Sequence, residues 1–229
     1  MAGQQLGSVG QLLERFYDQQ AEQEWDRLGK HRTEFAVTLR ALAEHMPPPA
    51  RVLDRGSGPG CLGLELARQG YEVTLFDLSP VCLQTAREKA TEAGLALAGV
   101  EQGTAVDLSR FGPATFDGVL LLGPLYHLLE EGERRQGLRE AWRVLAPGGL
   151  LFAAFITRYT AIRYSAVYDP LWVLEDADRL AMLLETGVLP ARRSGQPGFL
   201  AHYAHPTEAG PLVESEGFQM VSFWAWRVC

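Results

Sequence analysis

Two carboxylates and a cluster of glycines are the residues whose types and spacing invite chemistry. Asp54 stands just ahead of "GSGPG", in which Gly56, Gly58 and Gly60 alternate with Ser57 and Pro59, and Asp77 follows in "LFDLSP". Glycine lets a backbone turn tightly and lets a ligand approach with no Cβ in the way. A carboxylate beside such a loop suits a ligand that carries an ammonium and sits awkwardly against a pyrophosphate. A carboxylate closing the next apolar run can accept both hydroxyl protons of a ribose. The segment Gly58 to Gly63, "GPGCLG", also matches the dinucleotide pattern G-x-G-x-x-G, a short pattern that recurs by chance.

The elements that must position these residues read as alternating strand and helix. "RVLD" and "YEVTLFD" flank the glycines, with the amphipathic "CLGLELARQG" between them. "SPVCLQTAREKATEAG" opens with Ser79 as N-cap and Pro80 at the first helical position, and Gly94 closes it. "LALAGVEQ", "FDGVLLLG" and "LLFAAFIT" read as three more strands, the last preceded by the helix "EGERRQGLREAWRVLAPGG". Continuous apolar strands alternating with helices predict a parallel sheet covered on both faces, a doubly wound α/β fold. Residues 9–46 recur at helical intervals up to "PPP" at 47–49, so 1–48 reads as a helical cap. Residues 50–157 form the ligand-binding core, and the aromatic stretch 158–198 a helical insertion after the fifth strand. Residues 199–229 carry extended chain, a helix and a sixth strand, "FQMVSFWAW", with none after it. The whole chain 1–229 reads as one domain.

The net charge of −7 and a sequence pI near 5.3 give no general attraction for phosphate backbones, so nucleic acid is not an expected partner. Three cysteines without metal-like spacing predict reduced thiols in a cytoplasmic protein. There is no signal pattern and no membrane-length apolar run. His202 and His205 in "HYAH" suggest a metal pair by spacing, but no acid or cysteine cluster accompanies them, so no metal is expected.

Taken in order, "VLDRGSGPG", "LFDLSP", "FDGVLLLGPLYHL" and "RVLAPGGLLF" resemble the motifs of class I S-adenosylmethionine-dependent methyltransferases of the small-molecule type with a helical cap. The resemblance covers roughly residues 50–157. It implies S-adenosylmethionine as cofactor and a small-molecule acceptor, with a monomer or homodimer as the assembly. It also implies that Asp54, Gly56, Ser57, Gly58 and Gly60 face the methionine part and that Asp77 holds the ribose. Leu78 would pack on adenine, Thr104 and Ala105 in "EQGTAVDL" would read its edge, and Leu122 would border the methyl group. Thr104 stands where the family more usually has an acid, and Arg55 where it has a small or apolar residue. A cation there is unfavourable near a sulfonium unless it points away or pairs with an acid.

His127 in "GPLYHLL" is the candidate general base, since it follows the fourth strand where the methyl should emerge. The competing reading is a structural histidine bonded to the cap. Tyr126 is either a pocket wall or a proton donor. Tyr17 and Trp25 on the cap helices would face the sulfonium with their rings, or else serve as core. The methylated atom is not legible. Two other functions remain open: a nicotinamide-dependent oxidoreductase, and a protein that binds the cofactor without catalysis.

Overall fold

The computed structural model describes residues 8–30, 32–168, 170–171, 177–189 and 200–223. In chain order, α1 (Ser8–Lys30) and α2 (Arg32–His45) precede the sheet. There follow β1 (Arg51–Arg55), α3 (Cys61–Arg68), β2 (Glu72–Asp77), α4 (Pro80–Glu92), β3 (Gly99–Gln102) and β4 (Phe116–Leu121). The short α5 (Pro124–His127), α6 (Glu131–Val144), β5 (Leu145–Ala153) and α7 (Arg158–Tyr168) come next. Two further helices span Ala177–Thr186 and Pro206–Ser215.

All five strands are parallel, in the order β3-β2-β1-β4-β5. The middles of the central strands are apolar because both faces are covered. Val52, Val73, Leu75 and Leu120 pack against Leu42 of α2 and Met46 just beyond it, Leu62 and Leu66 of α3, and Leu83 and Ala86 of α4. The alternate residues Leu53, Phe76 and Val119 face Ala141 and Val144 of α6. Leu53 is fully buried, so truncating it to Ala costs about 2–5 kcal/mol. The order reverses between β1 and β4, which opens a crevice at their carboxyl ends where a ligand can bind. Asp54, paired with Leu75 on one side and Leu120 on the other, ends up at the lip of that crevice.

The helical cap, the doubly wound core and the helical insertion match the sequence expectation; the insertion's residues 169, 172–176 and 190–198 lie outside the described ones. The expected sixth strand does not. Residues 218–223 pair with no described strand, and the last three residues of "FQMVSFWAW" lie outside the described residues. Strand propensity there has no sheet neighbour to meet, and propensity without pairing does not make a strand. The stretch Leu200–Ala204 instead crosses the end of the core as an extended strap, bridging Thr157 and Val188.

Candidate active site

The site begins where β1 runs out. Gly56, Gly58 and Gly60 have φ of 79°, 53° and 86°, a left-handed backbone that residues with a Cβ rarely adopt. Three bonds fix the loop: Gly56 N donates to Phe76 O at 2.7 Å, Gly60 N to Ser57 O at 3.0 Å, and Gly58 N to Asp77 Oδ2 at 2.8 Å. Asp77 Oδ1 accepts the Ser79 amide at 2.8 Å. Each carboxylate oxygen keeps further lone-pair capacity for hydroxyl donors. Ser79 caps α4, accepting from Cys82 N at 3.0 Å, and its hydroxyl donates to Asp18 of α1 at 2.6 Å. The cap is held over the loop at two more points, Cys82 Sγ to Tyr17 O and Cys61 Sγ to Trp25 O.

A cavity of about 700 Å³ lies between the cap and the strand ends. Of the residues expected from sequence, Asp54, Gly56, Ser57, Gly58, Asp77, Leu78, Thr104, Ala105, Leu122, Tyr17, Tyr126 and His127 all line it. Gly60 sits just behind, where a Cβ would press on Leu75 and Ala86. Trp25 is a correction: its ring lines a separate groove against α3 and α4, with the Lys89 ammonium 5.6 Å from the ring centre. None of the insertion's described residues lines the cavity. Ala161 and Leu183 pack instead with Ala201, Tyr203 and Tyr126, so the insertion buttresses the back of the site.

Among these groups the carboxylates outnumber the cations. Glu24, Glu34, Asp54, Asp77, Glu130 and Glu133 line the cavity against Arg27 and Arg55. Arg27 pairs with Glu24 at 2.9 Å and Glu34 at 3.3 Å, a cluster on the cap that sequence reasoning missed. Its signal was the i,i+3 spacing of Glu24 and Arg27. Asp54 is buried with Oδ2 unpaired, and burial, then the Asp77 charge, push its carboxyl up to about 7. Burial raises the Asp77 carboxyl as well. A buried, under-satisfied acid at the loop favours a cationic ligand. Arg55 points away from the loop: its Nη1 donates to Gly137 O of α6 at 2.8 Å, while Nε and Nη2 are buried without a partner.

Opposite the glycines, α5 delivers Tyr126 and His127. His127 is 8% exposed. Its Nδ1 lies 2.8 Å from Leu200 O on the strap and its Nε2 lies 2.6 Å from Tyr17 Oη on α1. The strap is itself held by His202 N donating to Tyr126 O at 2.7 Å. Desolvation dominates here and brings the imidazole down to about 4, so it is neutral at physiological pH. Burial drives Tyr126 up to about 12 and Tyr17 well above the ordinary phenol range. His202 Nε2 lies 3.7 Å from Glu208, and His205 caps the helix Pro206–Ser215.

The family model for a methyltransferase domain matches residues 52–149. The chain is 32% identical over 187 residues to a ubiquinone biosynthesis O-methyltransferase from Caulobacter vibrioides, covering 80% of this chain and 68% of that one. It is 31% identical over 224 residues to its namesake from Xanthomonas euvesicatoria, covering 97% and 86%. A match to the same-named protein of another Caulobacter strain, at 34% identity, spans 58% of that relative's length and 64% of this chain. Among solved structures, a SAM-dependent methyltransferase from Methanosarcina mazei superposes with a TM-score of 0.63 at 24% identity, covering 77% of this chain and 82% of that one.

Proposed function

Because this chain belongs to the class I S-adenosylmethionine-dependent methyltransferases, we propose that it methylates a hydroxyl oxygen of a small, partly apolar acceptor, with His127 as the general base. The observation that carries the reading is the neutral imidazole of His127 facing the switch-point cavity with its Nδ1 held by Leu200. A neutral amine or a thiolate attacks with a lone pair it already has, whereas a hydroxyl must lose a proton as it is methylated. A neutral, oriented imidazole is the group such an acceptor needs. The relatives named as O-methyltransferases support the same atom.

S-adenosylmethionine supplies an electrophilic methyl on a sulfonium. The residues present fit it: a glycine cradle at the loop, an acidic lining, and an under-satisfied Asp54. In this reading Asp54, Gly56, Ser57 and Gly58 hold the methionine end, with Gly60 shaping the loop from behind. Asp77 accepts from the ribose hydroxyls, and Leu78, Thr104 and Ala105 enclose adenine. Leu122 and Tyr126 wall the reacting centre. Positioning of donor and acceptor does most of the work. The same reading places the protein in the cytoplasm as a monomer or homodimer with no nucleic-acid partner. The net charge of −7 and the free Cys61 and Cys82 support that setting.

The test is methyl transfer from labelled S-adenosylmethionine to 3,4-dihydroxybenzoate and, in parallel, to benzylamine. Transfer to the phenol, lost on His127→Asn, is the expected result. Transfer to the amine alone would reject the hydroxyl reading.

A further inference from the structure

The hydrogen-bond directions around His127 follow from chemistry. The Leu200 carbonyl can only accept, so Nδ1 carries the imidazole proton; in the neutral ring Nε2 is then an acceptor, and Tyr17 Oη donates to it. At 2.6 Å the Tyr17 bond is short, and it occupies the nitrogen that a general base would use. Tyr17 and His127 both line the cavity. With Nε2 taken by Tyr17, the acceptor that this pair offers to a hydroxyl in the cavity is the lone pairs of Tyr17 Oη.

We propose that Tyr17 is a catalytic residue, a proton relay that takes the proton of a phenolic acceptor while passing its own to His127 Nε2. This rests on the hydroxyl reading above. As the oxygen–methyl bond forms, the methyl leaves sulfur, which keeps the bonding pair and becomes a neutral thioether. The acceptor's oxygen–hydrogen bond breaks, its proton moves to Tyr17 Oη, and the former Tyr17 proton moves to Nε2. His127 ends as an imidazolium bonded to Leu200 O, carrying the positive charge that the sulfonium gave up, and later loses the proton to water. The two transfers must be concerted, because burial makes a Tyr17 phenolate strongly unfavourable. A phenol suits this relay better than an aliphatic alcohol. A buried imidazole is a weak base, and the more acidic hydroxyl asks less of it.

Tyr17→Phe keeps the ring and removes the relay. With 3,4-dihydroxybenzoate, its kcat should fall about 100-fold with KM and S-adenosylhomocysteine affinity nearly unchanged. The double variant with His127→Asn should be no slower than the slower single one. Nitrogen NMR of the resting protein gives a readout independent of turnover. Tyr17→Phe should shift the His127 Nε2 resonance and raise the imidazole pKa, because a donor to the neutral ring has been lost. If the wild type turns over the phenol and Tyr17→Phe matches or exceeds it, His127 acts directly and the relay is wrong. An unchanged Nε2 resonance in the variant would also overturn it. A wild type inactive on phenols but active on amines rejects the hydroxyl reading itself, and the relay goes with it.

Discussion

Asp77 and Gly58 are joined by a 2.8 Å hydrogen bond from the glycine amide to the carboxylate, so the acid that ends β2 and the glycine loop are one unit. A ligand that engages Asp77 meets a loop already set. Asp77→Ala should therefore do more than remove the hydroxyl acceptors: it also frees the loop. Hydrogen bonds to a charged group contribute about 1.5–3 kcal/mol, and losing more than one predicts at least a 100-fold weaker affinity for S-adenosylhomocysteine. Calorimetric titration checks this, with NADH as a ligand expected to show no binding to either protein.

Two glycines of the loop separate backbone strain from steric overlap. A Cβ on Gly58 meets nothing within 4 Å, so Gly58→Ala carries only the left-handed backbone penalty, about 1–2 kcal/mol. A Cβ on Gly56 would collide with the ring of Pro124 at the start of α5. Gly56→Ala should destabilise by more than Gly58→Ala, and it should lower kcat as well because α5 carries His127. Denaturant midpoints together with single-turnover rates measure both effects. Equal losses in the two variants would contradict the assignment.

Asp54 should make cofactor binding a proton-linked event. With its carboxyl pushed up to about 7, a sizeable fraction of the free protein holds that proton at neutral pH. A bound cation favours the ionised form, so binding releases protons. Affinity for S-adenosylmethionine should rise with pH from about 6 to about 8 and then level off, once the free protein is also ionised. Titration at pH 7 in two buffers of different ionisation enthalpy should show net proton release, and Asp54→Asn should abolish it. Proton uptake would have the wrong sign.

Arg55 shows what the strand pattern could and could not convey. Successive strand residues face opposite sides of a sheet, so Asp54 toward the loop puts Arg55 toward α6, which resolves its departure from the family pattern. The glycine loop, Asp77 and the α5 histidine were legible because short motifs sat between long apolar runs. Trp25 was misplaced because α1 has neighbours on two sides, the cavity and the groove against α3 and α4, and periodicity does not say which side an aromatic takes. Leu200 was invisible for another reason: its contribution is a backbone carbonyl in an extended strap with no side-chain signature. That residues 218–223 join no strand among the described residues reflects pairing, which no single segment encodes.

Burial lowers the Arg55 pKa, yet a guanidinium remains charged at neutral pH, so the fold tolerates a partly unpaired buried cation. Replacing such a charge with an apolar side chain of similar length is often neutral or stabilising. Arg55→Met should keep or raise the denaturation midpoint, whereas Arg55→Ala, which leaves a cavity, should lose about 2–4 kcal/mol. Urea titrations of the two variants decide the matter, and a Met variant as unstable as the Ala one would show that the bond to Gly137 matters more than the buried charge.

The cap carries Tyr17 to His127 Nε2 and Asp18 to the Ser79 hydroxyl, two consecutive residues of one helix. Any displacement of α1 would therefore part both contacts together. A single turn of the cap thus ties the imidazole beyond β4 to the capped start of α4, and the two halves of the sheet end share one fastening.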